Sequence, residues 1–394
     1  MENQNTKHTV IIPSYNTLSH LKNTYNSLIK HGGDVEIIII DDASQDGTAE
    51  YLKTLKASNL TVVISPERRG HTYWYDEGMR MSTTEVVSIL HSDMIIGPKY
   101  FDNMLKHLKP GTVVCGTRIE PPIHPAGKEK ITIDFGDEAD TFKWDAFEHF
   151  VTGELIESEG KTTKGIFAPW MLYKQDHLEI GGHDQKFTPY GYEDSDIFNR
   201  WILRGYKIVQ SRDALCYHMT CRGHRWNRGV GIVNSDYEAT MNRCRKEYLR
   251  KWGSWIKNDE FQYPILDPKY NIAFMVKHCT SEILELLEPW CDRIYIDDTM
   301  QVITSHYIDK EQSNTKFDLS KRIYTLEYND PKLENDIVVE FDMKKFDQQS
   351  FNIIQQLPEI IKESGEVGEF ELDVFKITIN SLTEYQNDLI VCKN

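Results

Sequence analysis

Two hydrophobic patterns alternate along the first 120 residues, and this alternation is the strongest constraint on the fold. Runs of consecutive apolar residues are typical of strands buried in a parallel sheet, whereas apolar residues three and four positions apart are typical of helices. The runs are His8–Pro13, Val35–Ile40, Leu60–Ser65, Glu85–Leu90 and Thr112–Gly116, and helical segments are predicted at 18–29, at 48–56 and after Pro98. We therefore predict an α/β fold, an open, mostly parallel, Rossmann-like sheet with flanking helices.

A second, smaller α/β pattern occupies the C-terminal third of the chain. Between the two patterns, the sequence predicts a helix from about residue 193 to 203, strands at 207–210 and 214–218, and a basic amphipathic helix at 235–252. The prolines at 264 and 268 mark a linker. The predicted domains are therefore 1–256, a linker at 257–269, and an accessory domain at 270–394 in which Asp297-Asp298 reads as an exposed acidic turn.

The charge distribution excludes whole classes of partner. The chain has 45 basic and 61 acidic side chains, or −16, and residues 261–394 alone hold 13 basic and 25 acidic side chains, or −12. Electrostatic binding of nucleic acid or of an anionic membrane over a large surface is therefore excluded. Seven scattered cysteines without a CxxC pair indicate reduced thiols, and no apolar leader or membrane-length run is present. We expect a cytoplasmic protein that another component brings to any membrane-bound acceptor.

Polar motifs follow the predicted strands, at the edge where open α/β sheets bind their ligands. The C-terminal half of the first domain adds a motif with an acidic pair at a helix start, and this motif begins ten residues after Gly181-Gly182. The four motifs are Pro13-Ser14-Tyr15-Asn16, Asp41-Asp42-Ala43-Ser44, His91-Ser92-Asp93 and Gly191-Tyr192-Glu193-Asp194-Ser195-Asp196.

In this order and on these elements, the motifs resemble the family-two glycosyltransferases of the GT-A fold. The resemblance runs from about Thr9 to His218, a little over half of the chain. It implies a GT-A catalytic domain that binds a nucleotide-diphosphate sugar, a divalent metal and a sugar-containing acceptor.

The resemblance assigns the nucleotide to the ends of the first two strands. By its pattern Tyr15 lies against the base, Asp42 accepts a hydrogen bond from a ring N–H, and Pro13 shapes the turn. A turn-capping role is the alternative for Asp42. Arg69, with Arg68 beside it, is a candidate contact for the diphosphate, or else part of a solvated loop. The following HTYWYDEG departs from the small residues and the Arg-Asn pair that are usual in the family.

His91-Ser92-Asp93 occupies the place of the family's Asp-x-Asp motif but departs from it at the first position. A cation that bridges a diphosphate prefers hard oxygen ligands, so Asp93 is the leading metal ligand. His91 is a softer ligand that suits Mn2+ better than Mg2+, with packing or a ribose contact as alternatives. His218 resembles a late metal or phosphate ligand of the family, and His224 is its rival.

Glu193-Asp194 stands where the family carries its catalytic base. The resemblance assigns the base to Asp194 and an acceptor hydrogen bond to Glu193, with Asp196 as the next candidate base. Acidic residues at a helix start also favour capping and the helix dipole, which is the structural alternative. Trp170 is a candidate apolar face for the acceptor sugar, with core packing as its alternative.

The prediction is an inverting, metal-assisted glycosyltransferase that moves a sugar from a nucleotide-diphosphate donor, UDP-sugar favoured, to a hydroxyl of a glycan, glycoconjugate or lipid-linked sugar. Two alternatives stay open. A non-catalytic nucleotide-sugar binder or scaffold would explain the lost first acidic metal position. A sugar-phosphate nucleotidyltransferase would need a glycine-rich basic loop after the first strand, where PSYNTLSH stands. The acidic C-terminal domain is expected to dock a protein partner or the acceptor.

Overall fold

The computed structural model describes residues 8–220, 226–227, 232–233, 235–298, 300–326 and 335–392. The chain forms two compact units. The first unit contains the residues up to 240 with 258–264 and 391–394, and the second contains 241–257 and 265–390. Residues 258–264 of the predicted linker thus lie against the first unit, where the Ile166 N–H donates to the Phe261 carbonyl. The boundaries 1–256, 257–269 and 270–394 stay a prediction.

The first unit alternates strands and helices in the predicted order. Its strands are β1 His8–Ser14, β2 Glu36–Asp41, β3 Leu60–Ile64, β4 Val86–Ile89, β5 Met94–Ile96, β6 Thr112–Glu120, β7 Lys130–Thr132, β8 Thr162–Thr163, β9 Trp170–Tyr173, β10 Lys207–His218, β11 Trp226–Asn227 and β12 Ile232–Val233. Its helices are α1 Leu18–His31, α2 Thr48–Thr54, α3 His71–Met81, α4 Tyr100–Leu105, α5 Trp144–Glu157, α6 Lys174–Glu179 and α7 Glu193–Arg204, followed by α8 Ser235–Trp252, which continues into the second unit.

The main sheet has the order β3-β2-β1-β4-β9-β6-β10-β5, with β7 beside β6 and β8 beside β10. Neighbours β1, β2, β3 and β4 pair in parallel, as do β6 and β10, whereas β9 runs antiparallel to both β4 and β6. Strands β1, β2, β4, β6 and β10 therefore point the same way and end at one edge. The predicted α/β class with a mostly parallel sheet is confirmed.

Several details of the first unit differ from the sequence prediction. The strands predicted at 207–210 and 214–218 are one strand, β10, with a register shift between Gln210 and Leu215. Polar residues in the middle of β10 remain inside the sheet because their side chains find hydrogen-bond partners there. One example is Gln210, whose Nε2 donates to the Glu129 carbonyl. Helix α3 was not predicted because its buried face mixes polar residues and glycine with aromatic rings. Helices α5 and α6 and the short strands β5, β7, β8, β9, β11 and β12 were not predicted either.

The second unit is the predicted small α/β unit. Its strands are β13 Ile272–Lys277, β14 Arg293–Ile296, β15 Ile323–Thr325, β16 Ile337–Asp342, β17 Gly368–Leu372 and β18 Phe375–Ile379, in the sheet order β15-β14-β13-β16-β18-β17. Its helices are α9 Ser281–Leu287, α10 Val302–Glu311 and α11 Gln348–Ser364. Among the helices that the structure describes, none combines the length and the hydropathy of a bilayer span.

Buried ion pairs hold the second unit together, and its acidic turn is structural. Glu288, fully buried, accepts hydrogen bonds from the guanidinium groups of Arg250 and Arg322. Asp297 accepts the backbone N–H groups of His278 and Cys279, and Asp298 accepts those of Val302 and Thr304 at the start of α10. The Asp297-Asp298 pair therefore orders two loops, and Asp298 is buried rather than exposed.

Helix α3 packs so closely on β1 that residue 78 must be glycine. A Cβ at Gly78 would overlap the Ile11 side chain, whereas a Cβ at Gly153, in the middle of α5, meets nothing within 4 Å. Overpacking a core costs about 1–3 kcal/mol, whereas Gly→Ala in an open helix position gains about 0.5–1 kcal/mol. We predict that Gly78→Ala lowers the melting temperature of the full chain, and that the matched control Gly153→Ala leaves it unchanged or raises it. Equal shifts for the two variants would contradict this packing.

Candidate active site

Polar side chains from five strands meet at the carboxyl edge of the main sheet. Ser14 ends β1, Asp41 ends β2, Glu120 ends β6 and His218 ends β10. The segment His91–Asp93 lies between the end of β4 and the start of β5, at the same edge. Because these strands are parallel, motifs far apart in sequence are brought into one site, as the prediction required.

The predicted metal ligands form one group. One donor atom each from His91, Asp93 and His218 lies within 4.8 Å of the other two. His218 Nε2 is 3.5 Å from Asp93 Oδ2, and His218 Nδ1 is 2.8 Å from Glu120 Oε1. A metal-binding histidine usually donates its other ring N–H to a carboxylate, which orients the ring, and Glu120 supplies this partner.

Glu120 is in turn fixed by two cations. Arg118 Nη1 lies 2.6 Å from one of its oxygens and Lys130 Nζ 2.8 Å from the other. Burial raises the pKa of Glu120, but the hydrogen bond from His218 and the charge of Arg118 outweigh burial and hold the pKa well below its usual range. The carboxylate therefore stays charged behind His218.

The protonation states suit a divalent cation. Burial, and then the nearby His218, lower the pKa of His91 to about 3, so its imidazole is neutral and keeps a free lone pair. Burial also lowers the pKa of His218, but Asp93 and Glu120 outweigh it and raise the pKa to about 9. A cation would take the place of that proton between His218 and Asp93. Two imidazoles and a carboxylate form a donor set that fits such a cation.

Asp42 holds the loop that follows β3. Its two carboxylate oxygens accept the backbone N–H groups of Arg69 and Gly70, at 2.7 and 2.8 Å, and the indole N–H of Trp74 at 2.7 Å. The loop-capping alternative for Asp42 is thus what the structure shows. Three donors leave one of about four acceptor positions of the carboxylate for a ligand.

The two arginines of this loop lie on aromatic rings. The Arg68 guanidinium lies 4.0 Å from the centre of the Tyr15 ring. It therefore covers the ring on which the nucleobase of the donor is expected to stack. Arg69 lies over Tyr73 and pairs with Glu67 at 2.7 Å, half exposed. Pro13 is buried near the end of β1. The predicted nucleotide residues therefore line one region, with Arg69 at its solvent side.

Glu193 and Asp194 begin α7 and differ in their electrostatics. His71 Nε2 donates to Glu193 Oε1 at 2.6 Å. Burial raises the pKa of Glu193, but the charge and the hydrogen bond of His71 lower it overall. Burial and then the charge of Glu193 raise the pKa of Asp194 to about 7. A carboxylate with a pKa near neutrality is suited to accept a proton in catalysis.

Tyr75 connects the acidic pair with the metal group. Burial raises the pKa of its phenol well above 10, and the charges of Asp194, Glu193 and Asp93 raise it further. The Tyr75 ring is also 5.4 Å from the His71 ring. The metal group and the acidic pair thus act on the same phenol, which places them around one site.

Two predicted residues are buried away from any acceptor, and a third lies outside the described residues. Trp170 is 0% exposed and packs edge-on against Trp201 at 5.0 Å, so it presents no face to an acceptor. The core-packing alternative describes it. Asp196, the next candidate base, is buried and paired with Arg200 at 2.8 Å. His224, the rival of His218, lies outside the described residues.

Several residues of the site were missed in the sequence. β6 was predicted to end at Gly116, four residues early, so Glu120 was not recognised as a strand-end carboxylate. His71 begins the unpredicted helix α3. Asp76, on the same helix, accepts hydrogen bonds from His177 at 2.9 Å and His183 at 2.7 Å, and all three side chains are buried beside Trp170.

Comparisons with known proteins agree with the predicted family. Residues 9–177 match the model of glycosyl transferase family 2, and residues 159–222 match a model described as the N-terminal domain of galactosyltransferase. The chain is 27% identical over 256 residues to an uncharacterized glycosyltransferase, YfnE, of Bacillus subtilis (strain 168), a match covering 54% of this chain and 64% of the relative. It is 25% identical over 266 residues to a poly-beta-1,6-N-acetyl-D-glucosamine synthase of Staphylococcus aureus (strain COL), covering 66% of this chain and 59% of the relative. The chain therefore spans less than two thirds of either relative.

Two solved structures are similar to part of this chain. GalNAc-T7 with UDP, GalNAc and Mn2+ has a TM-score of 0.46 and 13% identity, over 66% of this chain and 49% of that protein. The mannosyltransferase PcManGT of Pyrobaculum calidifontis, with GDP-Man and Mn2+, has a TM-score of 0.39 and 22% identity, over 55% of this chain and 58% of that protein. Both scores lie below 0.5.

The metal group makes a prediction about binding. Asp93→Ala removes the only carboxylate among the three predicted ligands, so saturable Mn2+ binding should be lost in a calorimetric titration. Glu120→Gln loses the charged partner of His218 and should weaken Mn2+ by about 10–100-fold. The control is Asp102→Ala, an exposed carboxylate in the first turn of α4. Wild-type Mn2+ affinity in Asp93→Ala would show that the cation binds elsewhere.

Proposed function

We propose that this chain, whose residues 9–177 match the model of glycosyl transferase family 2, transfers a sugar from a nucleoside-diphosphate sugar to an acceptor hydroxyl with inversion at the anomeric carbon. The observation that carries the proposal is that Asp194, whose pKa is about 7, and Asp93 of the group His91, Asp93 and His218 both raise the pKa of the same buried phenol, Tyr75. A non-catalytic binder has no use for a base poised near neutrality.

In this proposal the donor lies against the ends of β1 and β2. The nucleobase of the donor stacks on the Tyr15 ring, in the place that the Arg68 guanidinium now covers. Arg68 then turns towards the diphosphate. The remaining acceptor position of Asp42 receives a ring N–H of the base, and Pro13 keeps the turn in place. UDP is favoured from the family resemblance, and a relative named as an N-acetyl-D-glucosamine polymer synthase makes UDP-N-acetylglucosamine the first donor to test.

The proposed cation site consists of His91, Asp93 and His218, with Glu120 behind His218. Nitrogen ligands favour Mn2+ over Mg2+. When bound, a divalent cation offsets the charge that develops on the departing nucleoside diphosphate. The protein then needs no proton donor at the leaving group.

Asp194 is the proposed general base. It takes the proton of the acceptor hydroxyl while the oxygen forms its bond to the anomeric carbon and the bond from that carbon to the diphosphate oxygen breaks. A single displacement inverts the configuration. Glu193, kept charged by His71, accepts a hydrogen bond from the acceptor. Trp170, buried in the core, has no part in this proposal.

The base assignment predicts the behaviour of one variant. Asp194→Asn keeps the size of the side chain but cannot take a proton, so turnover should fall by about 10²–10⁴-fold while the affinity for UDP stays within a few-fold. The assay is hydrolysis or transfer with Mn2+ and a panel of UDP-, GDP- and dTDP-sugars, and UDP binding is titrated on the same protein. Asp102→Asn is the control, because it makes the same change in the first turn of another helix. Near-normal turnover in Asp194→Asn would mean that Asp194 is not the base.

The second unit is proposed to be an accessory domain that docks a protein partner or the acceptor, in a protein of the cytoplasm. All proposed donor and cation residues lie between Pro13 and His218, and residues 258–264 belong to the first unit. A fragment of residues 1–264 should therefore bind UDP with Mn2+ within a few-fold of the full chain, as measured by calorimetry. An unfolded fragment, or one without nucleotide binding, would contradict the division into a catalytic and an accessory domain.

A further inference from the structure

The loop after β3 touches both halves of the proposed site. On the nucleotide side, the Asp42 carboxylate accepts the backbone N–H groups of Arg69 and Gly70. Gly70 has φ +86°, which favours glycine, and a Cβ there would overlap the backbone of Pro189. The loop therefore lies in van der Waals contact with the segment that leads into α7. A displacement of the loop at Asp42 is therefore passed on to the segment before α7, because the two are in direct contact.

His71 follows directly and reaches the acceptor side. Its Nε2 donates to Glu193 at 2.6 Å, and its side chain is 32% exposed against 9% for Glu193. The imidazole also lies beside Tyr75, at 5.4 Å between ring centres, and Tyr190, at 6.3 Å. The backbone N–H that Asp42 accepts, that of Gly70, thus belongs to the residue directly before His71, whose side chain holds Glu193.

We infer that His71 is a positioning residue that couples the nucleotide loop to the acidic pair, so that occupancy of the nucleotide site sets the position and charge of Glu193 and Asp194. This inference rests on the proposed function, since it assigns the acidic pair to the acceptor and the base. His71 touches neither donor nor reacting atoms in this arrangement and acts through Glu193.

The charges around His71 explain what it would control. Burial lowers the pKa of His71, but Glu193, Asp194 and Asp42 outweigh burial and raise it, which favours the charged form of the imidazole. Tyr75 and Tyr190 are the other titratable groups in contact with the ring. His71 lowers the pKa of Asp194, as do His183 and Arg118, against the opposite effects of burial and Glu193. Loss of the His71 charge therefore favours a protonated, inactive Asp194.

The test compares His71→Gln with His31→Gln. Glutamine keeps an N–H donor for Glu193 but carries no charge. His31 forms a similar pair with Glu148, with 3.3 Å between His31 Nε2 and Glu148 Oε1. Neither residue belongs to the proposed site, so His31→Gln is the matched control. The readout is kcat/KM for donor hydrolysis, measured against pH in the presence of Mn2+. The donor is whichever of the UDP-, GDP- and dTDP-sugars the wild type hydrolyses fastest. In the wild type the acidic limb should lie near pH 7, because Asp194 must be deprotonated.

In His71→Gln the acidic limb should move up by about one pH unit, as expected for the loss of a nearby charge. Activity should therefore be about tenfold lower at pH 6 and within about threefold of the wild type at pH 8.5. His31→Gln should reproduce the wild-type profile. A loss of activity that does not depend on pH would indicate a merely structural role, and an unchanged limb would equally overturn the inference.

An NMR titration separates this inference from the proposed function. The ring signal of His71, assigned with His71→Gln, should report a pKa above 6.5 that falls in Glu193→Gln, and it should shift when UDP and Mg2+ are added. A signal that does not respond to UDP overturns the coupling even if Asp194→Asn is inactive. Full turnover in Asp194→Asn overturns the proposed function instead, while a responding His71 would still establish contact between loop and acidic pair.

Discussion

The carboxylate of Asp42 is the interaction on which the rest of the site depends. A strand that ends in the interior leaves its following loop without regular hydrogen-bond partners, and buried backbone N–H groups must be paired. Asp42 pairs two of them, on Arg69 and Gly70, and also the indole of Trp74 in α3. It therefore fixes both the loop and the first turns of α3.

What Asp42 fixes determines the chemistry further along. With the loop held, Gly70 lies against Pro189 and His71 is directed at Glu193. The acidic pair is therefore not an isolated feature of the α7 N-terminus. The helix dipole favours a carboxylate at that position, but the dipole alone does not distinguish Glu193 from Asp194. The His71 hydrogen bond does distinguish them, because only Glu193 has it.

The parts of the fold with simple hydrophobic patterns could be predicted from the sequence, and the parts with buried polar residues could not. β1, β2 and α1 follow from consecutive or regularly spaced apolar residues. Helix α3 was missed because its buried face mixes Thr72, Asp76 and Gly78 with aromatic rings, and such a face has no apolar period. The end of β6 was missed for the same reason, since Arg118 and Glu120 are buried as an ion pair that no pattern of single residues reveals.

The same distinction applies to the site. Asp93, His91 and His218 were predicted as metal ligands from the family resemblance, and the structure groups them because they stand at the ends of strands that share one edge of the sheet. The exposure of Trp170 could not be predicted, because an aromatic residue on a strand has the same sequence signature whether its ring faces solvent or the core. Nor does the sequence show which member of Glu193-Asp194 is ionised. Ionising two adjacent carboxylates in a buried site costs free energy, because the two negative charges repel each other. A cation that lies nearer to one of them favours the charged form of that one. His71 lies on Glu193, so Glu193 keeps the charge and Asp194 is left with a pKa of about 7, the value that a base for a sugar hydroxyl requires.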